Sequence, residues 1–431
     1  MSGAGRALSP RSTALARGPL SLPALVLACL AGLGFFVAVV AVRGGPSVGD
    51  AYGVTTPATA IADGDLTAAA HDQVLPQPAG YALLASPFIV VLRPVIGTPT
   101  WCDARVAPVT RLFLKWCAAD QLSSHRWYRS QAVLGLLAWL VLAIGAVRLL
   151  RAAGGGGPIE LLLVLMLAAI PAASDGIVET FHPQDLVCVG LTCAALGETL
   201  RRRWVLTGVL FGAAFLCKQF ALLPLIAVVV AAPTMRARLL VVGVAAGVVG
   251  CGIAPFAVAD PRATWNTLSA VNPGSVIKLT TGTVVGMTGL TESTKLHIAR
   301  DGPVVLALAM SLWARRRAGS GLLTPLGLIG LATACLAARL VAEVWFASYY
   351  LLAVSAALLV LDLAAKRVPV WSCAWIAGTG VLVEQAGGIP DTTLGAVLAF
   401  ISALAALFIG LRAVPRRDPV TAPSLAGADG V

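Results

Sequence analysis

Residues 181–233 read FHPQDLVCVGLTCAALGETLRRRWVLTGVLFGAAFLCKQFALLPLIAVVVAAP. Three apolar runs follow one another here, broken once by Arg201, Arg202 and Arg203 and once by Cys217, Lys218 and Gln219. Twenty or so apolar residues span a bilayer as a helix, and comparable runs recur from Leu20 to Leu411. The expected fold class is therefore an all-α polytopic membrane protein. Composition agrees, since of 431 residues 58% are hydrophobic and 12% charged, with a mean hydropathy of +0.87. A soluble protein carries about 25% charge, so a soluble enzyme is excluded. The net charge of +11 would suggest nucleic acid in a soluble chain. Here the basic residues sit in short clusters between apolar runs, the pattern that orients membrane proteins. No nucleic-acid partner is expected.

Those clusters are Arg6, Arg11 and Arg17; Arg148 and Arg151; Arg201 to Arg203; Arg236 and Arg238; Arg315 to Arg317; Lys366 and Arg367; and Arg412, Arg416 and Arg417. Placing all of them in the cytoplasm makes the apolar runs cross in pairs. Helices are expected at 20–42, 130–148, 159–174, 185–200, 204–217, 219–233, 239–259, 303–314, 321–338, 345–364, 370–385 and 392–411. About twelve transmembrane helices then make one domain over 20–412, in the plasma membrane, with disordered cytoplasmic tails at 1–19 and 413–431. External loops are expected at 43–129, 174–184 and 260–302. The apolar run at 82–98 contains Pro87, Arg93 and Pro94, which oppose a simple span. It is expected to lie at the outer interface or re-enter shallowly, followed by an amphipathic stretch at 104–121. No A-x-A-like cleavage site follows the first run, which is expected to remain as an anchor. The short runs 204–217 and 219–233 are expected to form a hairpin with Lys218 at its tip.

Charges within a membrane are costly and mark function by default. Asp50, Asp175, Glu179, His182, Asp185, Lys218, Arg339, Glu343 and Glu384 all fall at the external ends of the expected helices. A proton or ion path would place charge at mid-depth, so a layer at one face points to chemistry at the external interface. His182 and Asp185 stand i, i+3 at a helix start and face the same side. Without function they would be a helix start with a surface histidine, and Lys218 a snorkelling lysine. With function, Lys218 suits a lipid phosphate, as a point positive charge at the interface. Asp50, just beyond the first helix, could act as a general base on a hydroxyl arriving from outside.

The loop pattern D-x-Y…A-x-A-x-x-D-G-D-L…P-x-P-x-x-Y begins at Asp50 and ends at Tyr81. With it stand His182-Pro183-x-Asp185, the hairpin G-x-x-x-G-x-A-F-x-x-K-Q at 208–219, and RLVAEVWFASYYLLAVSAALL at 339–359. In these segments the chain resembles polytopic GT-C glycosyltransferases. It is most similar to the actinobacterial proteins around glycosyltransferase family 87, the polyprenyl-phosphate-mannose-dependent mannosyltransferases. The resemblance implies a GT-C-like fold with interfacial helices in the long first external loop. It implies a polyprenyl-phosphate sugar donor, and transfer of a mannose-like or arabinose-like sugar to a lipid or glycan acceptor outside. By the same resemblance Asp50 is the catalytic base, and Lys218 and Arg339 hold the donor phosphate. Substrate-binding candidates are His182, Asp185, Asp63, Asp65, Gln219 and Tyr81. No nucleotide loop or dinucleotide fingerprint is present.

Nine cysteines show no C-x-x-C and no metal-ligand spacing. Cys102 and Cys117 both fall in the long external segment, where an oxidising compartment permits a disulfide, worth about 3 kcal/mol for a loop of this size. Asp50, Asp63 and Asp65 could hold a divalent cation, as in some GT-C enzymes, but no metal or other cofactor is expected. Membrane lipids are the remaining partners. The alternative readings are a secondary transporter or lipid flippase, which would need mid-membrane polar residues and broken helices, and a non-catalytic relative of the fold.

Overall fold

The computed structural model describes residues 19–42, 57–71, 80–96, 122–178, 181–269, 283–343, 348–385 and 393–416. Asp50, Cys102 and Cys117, the stretch 104–121 and most of both tails lie outside these residues. Within them the protein is all-helical. The helices are α1 (Leu22–Val42), α2 (57–62), α3 (Leu66–His71), α4 (Gly80–Ile96), α5 (Leu122–Ala152) and α6 (Pro158–Ala168). Next come α7 (Pro171–Val178), α8 (Pro183–Leu200), α9 (Trp204–Cys217), α10 (Leu222–Ala231), α11 (Met235–Ala259) and α12 (Pro261–Ser269). The rest are α13 (Val284–Met287), α14 (Glu292–Ala318), α15 (Pro325–Ala342), α16 (Leu351–Ala364), α17 (Val370–Gln385) and α18 (Thr393–Arg412). Short 3₁₀ turns at Gln219–Ala221 and Ser348–Tyr350 precede α10 and α16.

Local chemistry sets many of these boundaries. Thr234, Thr291 and Thr324 cap α11, α14 and α15 by accepting the amides of Ala237, Thr294 and Gly327. Pro158, Pro183 and Pro325 occupy first-turn positions where no amide is needed. Helices α8 and α16 end where Arg202 and Lys366 adopt positive φ, at 58° and 54°. The next amides then turn back to the carbonyls of Glu198 and Asp362.

Five helices (α1, the Val133–Ala152 part of α5, α11, α15 and α18) are long and apolar enough to cross a membrane. A sixth span results if α6 and α7, bent by 43°, count as one. Two expectations need correction. The span expected at 159–174 is broken at Ala169 and Ile170, and the external loop expected at 174–184 is largely helical, because α7 continues to Val178 and α8 starts at Pro183. The helix expected at 303–314 starts at Glu292, inside the loop expected at 260–302, because the Thr291 cap starts it there.

Burial separates a centre from a periphery. The spans in α5 and α15 are 61% and 78% buried by protein, against 22%, 17% and 28% for α1, α11 and α18. The peripheral helices expose large apolar side chains, among them Leu27, Val242 and Phe408. Lipid is the medium that such a surface fits. The central helices α5 and α8 touch through backbone: a Cβ at Gly190 would stand 2.5 Å from the Val141 carbonyl oxygen. Gly330 and Gly410 allow the same close approach between α15 and α18. Helix α4 presses Gly80 against Leu216 of α9 and buries Tyr81, Ala85 and Ile89, while Phe88 and Val91 face outward.

One end of the bundle is tied by arginines. Glu198 meets Arg148 at 2.7 Å, Arg201 at 2.8 Å and Arg203 at 3.4 Å. Arg151 grips both oxygens of Glu160, at 2.9 and 2.8 Å, and donates to the Leu20 carbonyl. Arg315 donates to the Val230 and Ala232 carbonyls at the end of α10. Since α8 runs toward this end and α9 starts from it, Lys218 lies at the other.

Candidate functional site

At that other end, four regions distant in sequence meet: the start of α8, the break after α9, the end of α15 and the turn before α16. The α8 start depends on Phe181, which holds φ at 50°. A bulky residue with positive φ is an outlier that the surroundings must enforce. This conformation directs the His182 amide to the carbonyl of Gly176 in α7. His182 is buried rather than on the surface, which removes the surface-histidine alternative. Its ring stacks on Tyr349, with centroids 4.1 Å apart and planes 16° apart. Gln184 Nε2 lies 2.6 Å from His182 Nδ1, and Gln184 Oε1 is buried without a hydrogen-bond partner.

Asp185, on the next turn, is 1% exposed. Its Oδ2 lies 3.3 Å from Lys218 Nζ and 3.5 Å from His182 Nδ1, yet neither carboxylate oxygen makes a well-directed hydrogen bond. Lys218 interrupts the helix with an extended backbone at φ −159° and ψ 133°. The Cys188 thiol donates to its carbonyl at 3.6 Å. The Lys218 ammonium also stands 5.7 Å from the Tyr349 ring centre. The expected hairpin tip is thus present, but its lysine is tied to α8 rather than snorkelling free.

Arg339, one turn from the end of α15, is 3.5 Å from Glu343 through Nε. Its guanidinium lies 4.1 Å from the Tyr350 ring centre and 4.9 Å from that of Phe220. Tyr349 and Tyr350 pack edge to face at 4.8 Å. Two cations, two carboxylates, a histidine and three aromatic rings therefore share one corner. Such contacts strengthen as water is excluded.

The structure brings His182, Asp185, Lys218 and Arg339 together. Gln219 is next to Lys218 but points outward and is exposed. Tyr81 is buried beside Cys217, with no hydrogen-bond partner for its hydroxyl. Asp63 and Asp65 are elsewhere, in the turn between α2 and α3, whose helices pack on α11 and α12. Asp65 is occupied there in accepting the Ala68 amide at 2.8 Å, capping α3. An aspartate before a helix start satisfies an orphan amide. Among the described residues no three of His, Cys, Asp and Glu gather as a metal site. Tyr349, Tyr350, Phe220 and Gln184 were not singled out from the sequence. The paired tyrosines at a helix start inside an apolar run were the available signal.

No family model, curated protein or solved structure matches the chain. What the corner can do is read from its own groups. Lys218 and Arg339 both act on Asp185, and cations of this kind are the groups that bind an oxyanion.

Proposed function

We propose that the protein is an integral-membrane glycosyltransferase. It crosses the plasma membrane about twelve times, with both termini cytoplasmic, and has a GT-C-like fold. It moves a mannose-like or arabinose-like sugar from a polyprenyl-phosphate donor to a lipid or glycan acceptor at the external face. The observation that carries this reading is the meeting of Lys218 and Arg339 beside Asp185 and His182, at the bundle end opposite the arginine clusters. In the reaction the acceptor hydroxyl attacks the anomeric carbon and loses its proton to a base. The bond from that carbon to the phosphate oxygen breaks, and polyprenyl phosphate leaves with added negative charge. Lys218 and Arg339 stabilise that charge where it develops. Asp50 is the base, placed by the loop pattern it begins. Asp185, buried and paired to Lys218, orients that lysine instead.

The test is transfer of radiolabelled sugar from a polyprenyl-phosphate donor by purified, reconstituted protein. The wild type should label an envelope lipid or glycan, and Asp50→Asn should lose about 10²–10⁴ in rate. A folded Asp50→Asn protein with full transferase activity would refute the base role.

The breaks at Lys218 and between α6 and α7 favour a second reading, since carriers build substrate sites from interrupted helices. Movement of lipid-linked sugar across proteoliposomes, without covalent transfer, would select it.

A further inference from the structure

The arginines at the end of the bundle opposite Lys218 fall into two groups. Arg148, Arg151, Arg201 and Arg203 are neutralised by Glu198 and Glu160. Arg236, Arg238, Arg315, Arg316 and Arg317 form no ion pair among the described residues. The stretches that carry them, 222–259 and 302–338, contain no aspartate or glutamate at all. Two of the five converge. Arg238 donates through Nε to the Ala232 carbonyl at 3.2 Å, and Arg315 donates to the same oxygen at 3.2 Å and to the Val230 carbonyl. A guanidinium has five N–H donors, so most of each remains unspent. The two like charges also act on one another. Arg236 and Arg238 stand in the opening turn of α11, where the helix dipole opposes positive charge.

Positive charge gathered in this way, with donors to spare, is the complement of a phosphate. Its border is apolar. Met235 and Leu239 on α11 and Leu312 and Trp313 on α14 are exposed, and tryptophan favours the headgroup level of a membrane. Arg317 lays its guanidinium over the Trp313 ring, 5.1 Å from its centre. A free anion gains nothing from that border, whereas a lipid lays its chains along it. We propose that Arg238 and Arg315 bind the phosphate of an anionic phospholipid, where the end of α10 and the start of α11 meet α14. Basic pockets between membrane helices suit such headgroups. A zwitterionic lipid fits less well, because the exposed Arg236 and Arg316 repel its ammonium group. The site lies at the opposite end of the bundle from Lys218 and stands independently of the reaction proposed there.

The probe is phosphatidylglycerol, titrated into the full-length protein in detergent, with retained lipid counted by native mass spectrometry. Phosphatidylcholine and inorganic phosphate are the comparison arms. The wild type should retain phosphatidylglycerol over phosphatidylcholine, and inorganic phosphate at equal concentration should not displace it. Arg238→Gln should weaken retention about fivefold, and Arg238→Gln with Arg315→Gln about 25-fold, the weight of one and of two arginines near an anionic headgroup. Arg412→Gln removes one charge from the exposed end of α18 and should retain lipid as the wild type does. Arg315 also ties α14 to the end of α10, so a further variant leaves both arginines in place. Met235→Glu sets a carboxylate three residues before Arg238, on the same helix face, and an acidic residue in a first turn favours the helix. This variant should lose the lipid without a fall in unfolding temperature, a result that misfolding cannot imitate. Wild-type retention by folded Met235→Glu, an equal loss in Arg412→Gln, equal retention of phosphatidylcholine, or displacement by inorganic phosphate overturns the proposal.

Discussion

The two ends of the helical bundle use the same kinds of side chain to opposite effect. At the arginine end, Glu198 is fully buried and has three guanidinium partners, two of them within 2.8 Å, while Glu160 takes a two-pronged grip from Arg151. The carboxylates are oversupplied with donors, and the arginines keep part of their surface in water. At the Lys218 end, each carboxylate has one principal cation, at 3.3 Å for Asp185 and 3.5 Å for Glu343. Both oxygens of Asp185 lack a directed hydrogen bond although buried. Buried polar groups are ordinarily satisfied, so exceptions call for a reason. The first arrangement closes helix ends. The second holds Asp185 near Lys218 and His182 without a directed hydrogen bond.

Four substitutions test this contrast, taken from the largest expected effect. Lys218→Met should weaken donor binding and turnover together by about 100-fold, the loss of one strong charge-assisted contact. It also strands the Asp185 carboxylate, which is destabilising by itself. The double variant Lys218→Met with Asp185→Asn should therefore recover thermal stability and not donor binding. Recovery of both would reduce the lysine to a partner of Asp185. Glu198→Gln should cost stability instead, by about 1–3 kcal/mol, moderated because its arginines can rehydrate. Thermal unfolding in detergent measures it, and donor affinity should stay within error. Loss of donor affinity at equal stability would mean that the two ends are coupled.

Arg339→Lys keeps the charge but loses the flat face packed between Tyr350 and Phe220. Donor binding should fall about tenfold, since a guanidinium on an aromatic face is not replaced by an ammonium. Wild-type affinity in this variant would show that charge alone matters there. Asp65→Ala should remove the α3 cap, costing about 0.5–1 kcal/mol locally. Donor titration should not register it. A large loss of binding would bring the α2–α3 turn into the site after all.

Much of this was legible in advance. The apolar runs placed most helices within a few residues, since lipid-compatible segments need internally satisfied backbones. The charged layer His182, Asp185, Lys218 and Arg339 was visible as polar residues at helix ends, and the structure draws those four into one corner. The arginine end was not legible in the same way. Glu160 and Glu198 stand near arginine clusters, and a carboxylate next to basic residues in sequence reads as solvated, yet both are buried. Only packing buries them. Hydropathy passed over the break between α6 and α7 because Ala169 and Ile170 are as apolar as their neighbours, although Pro171 marks it. Hydropathy sees length and polarity and is blind to a bend.

Sequence by itself determined the medium, the helical class and which residues carry charge at helix ends, because those properties are local: period, hydropathy and charge act within a turn or two. Tertiary structure alone decided partnership. That Asp185 shares one oxygen between Lys218 and His182, and that Arg339 lies between Phe220 and Tyr350, depends on where four separate segments cross. Glycines such as Gly145, Gly190, Gly330 and Gly410 bring α8 onto α5 and α15 onto α18 by letting backbones touch. Contacts of that kind are cooperative over the whole bundle, and no window of the chain contains them.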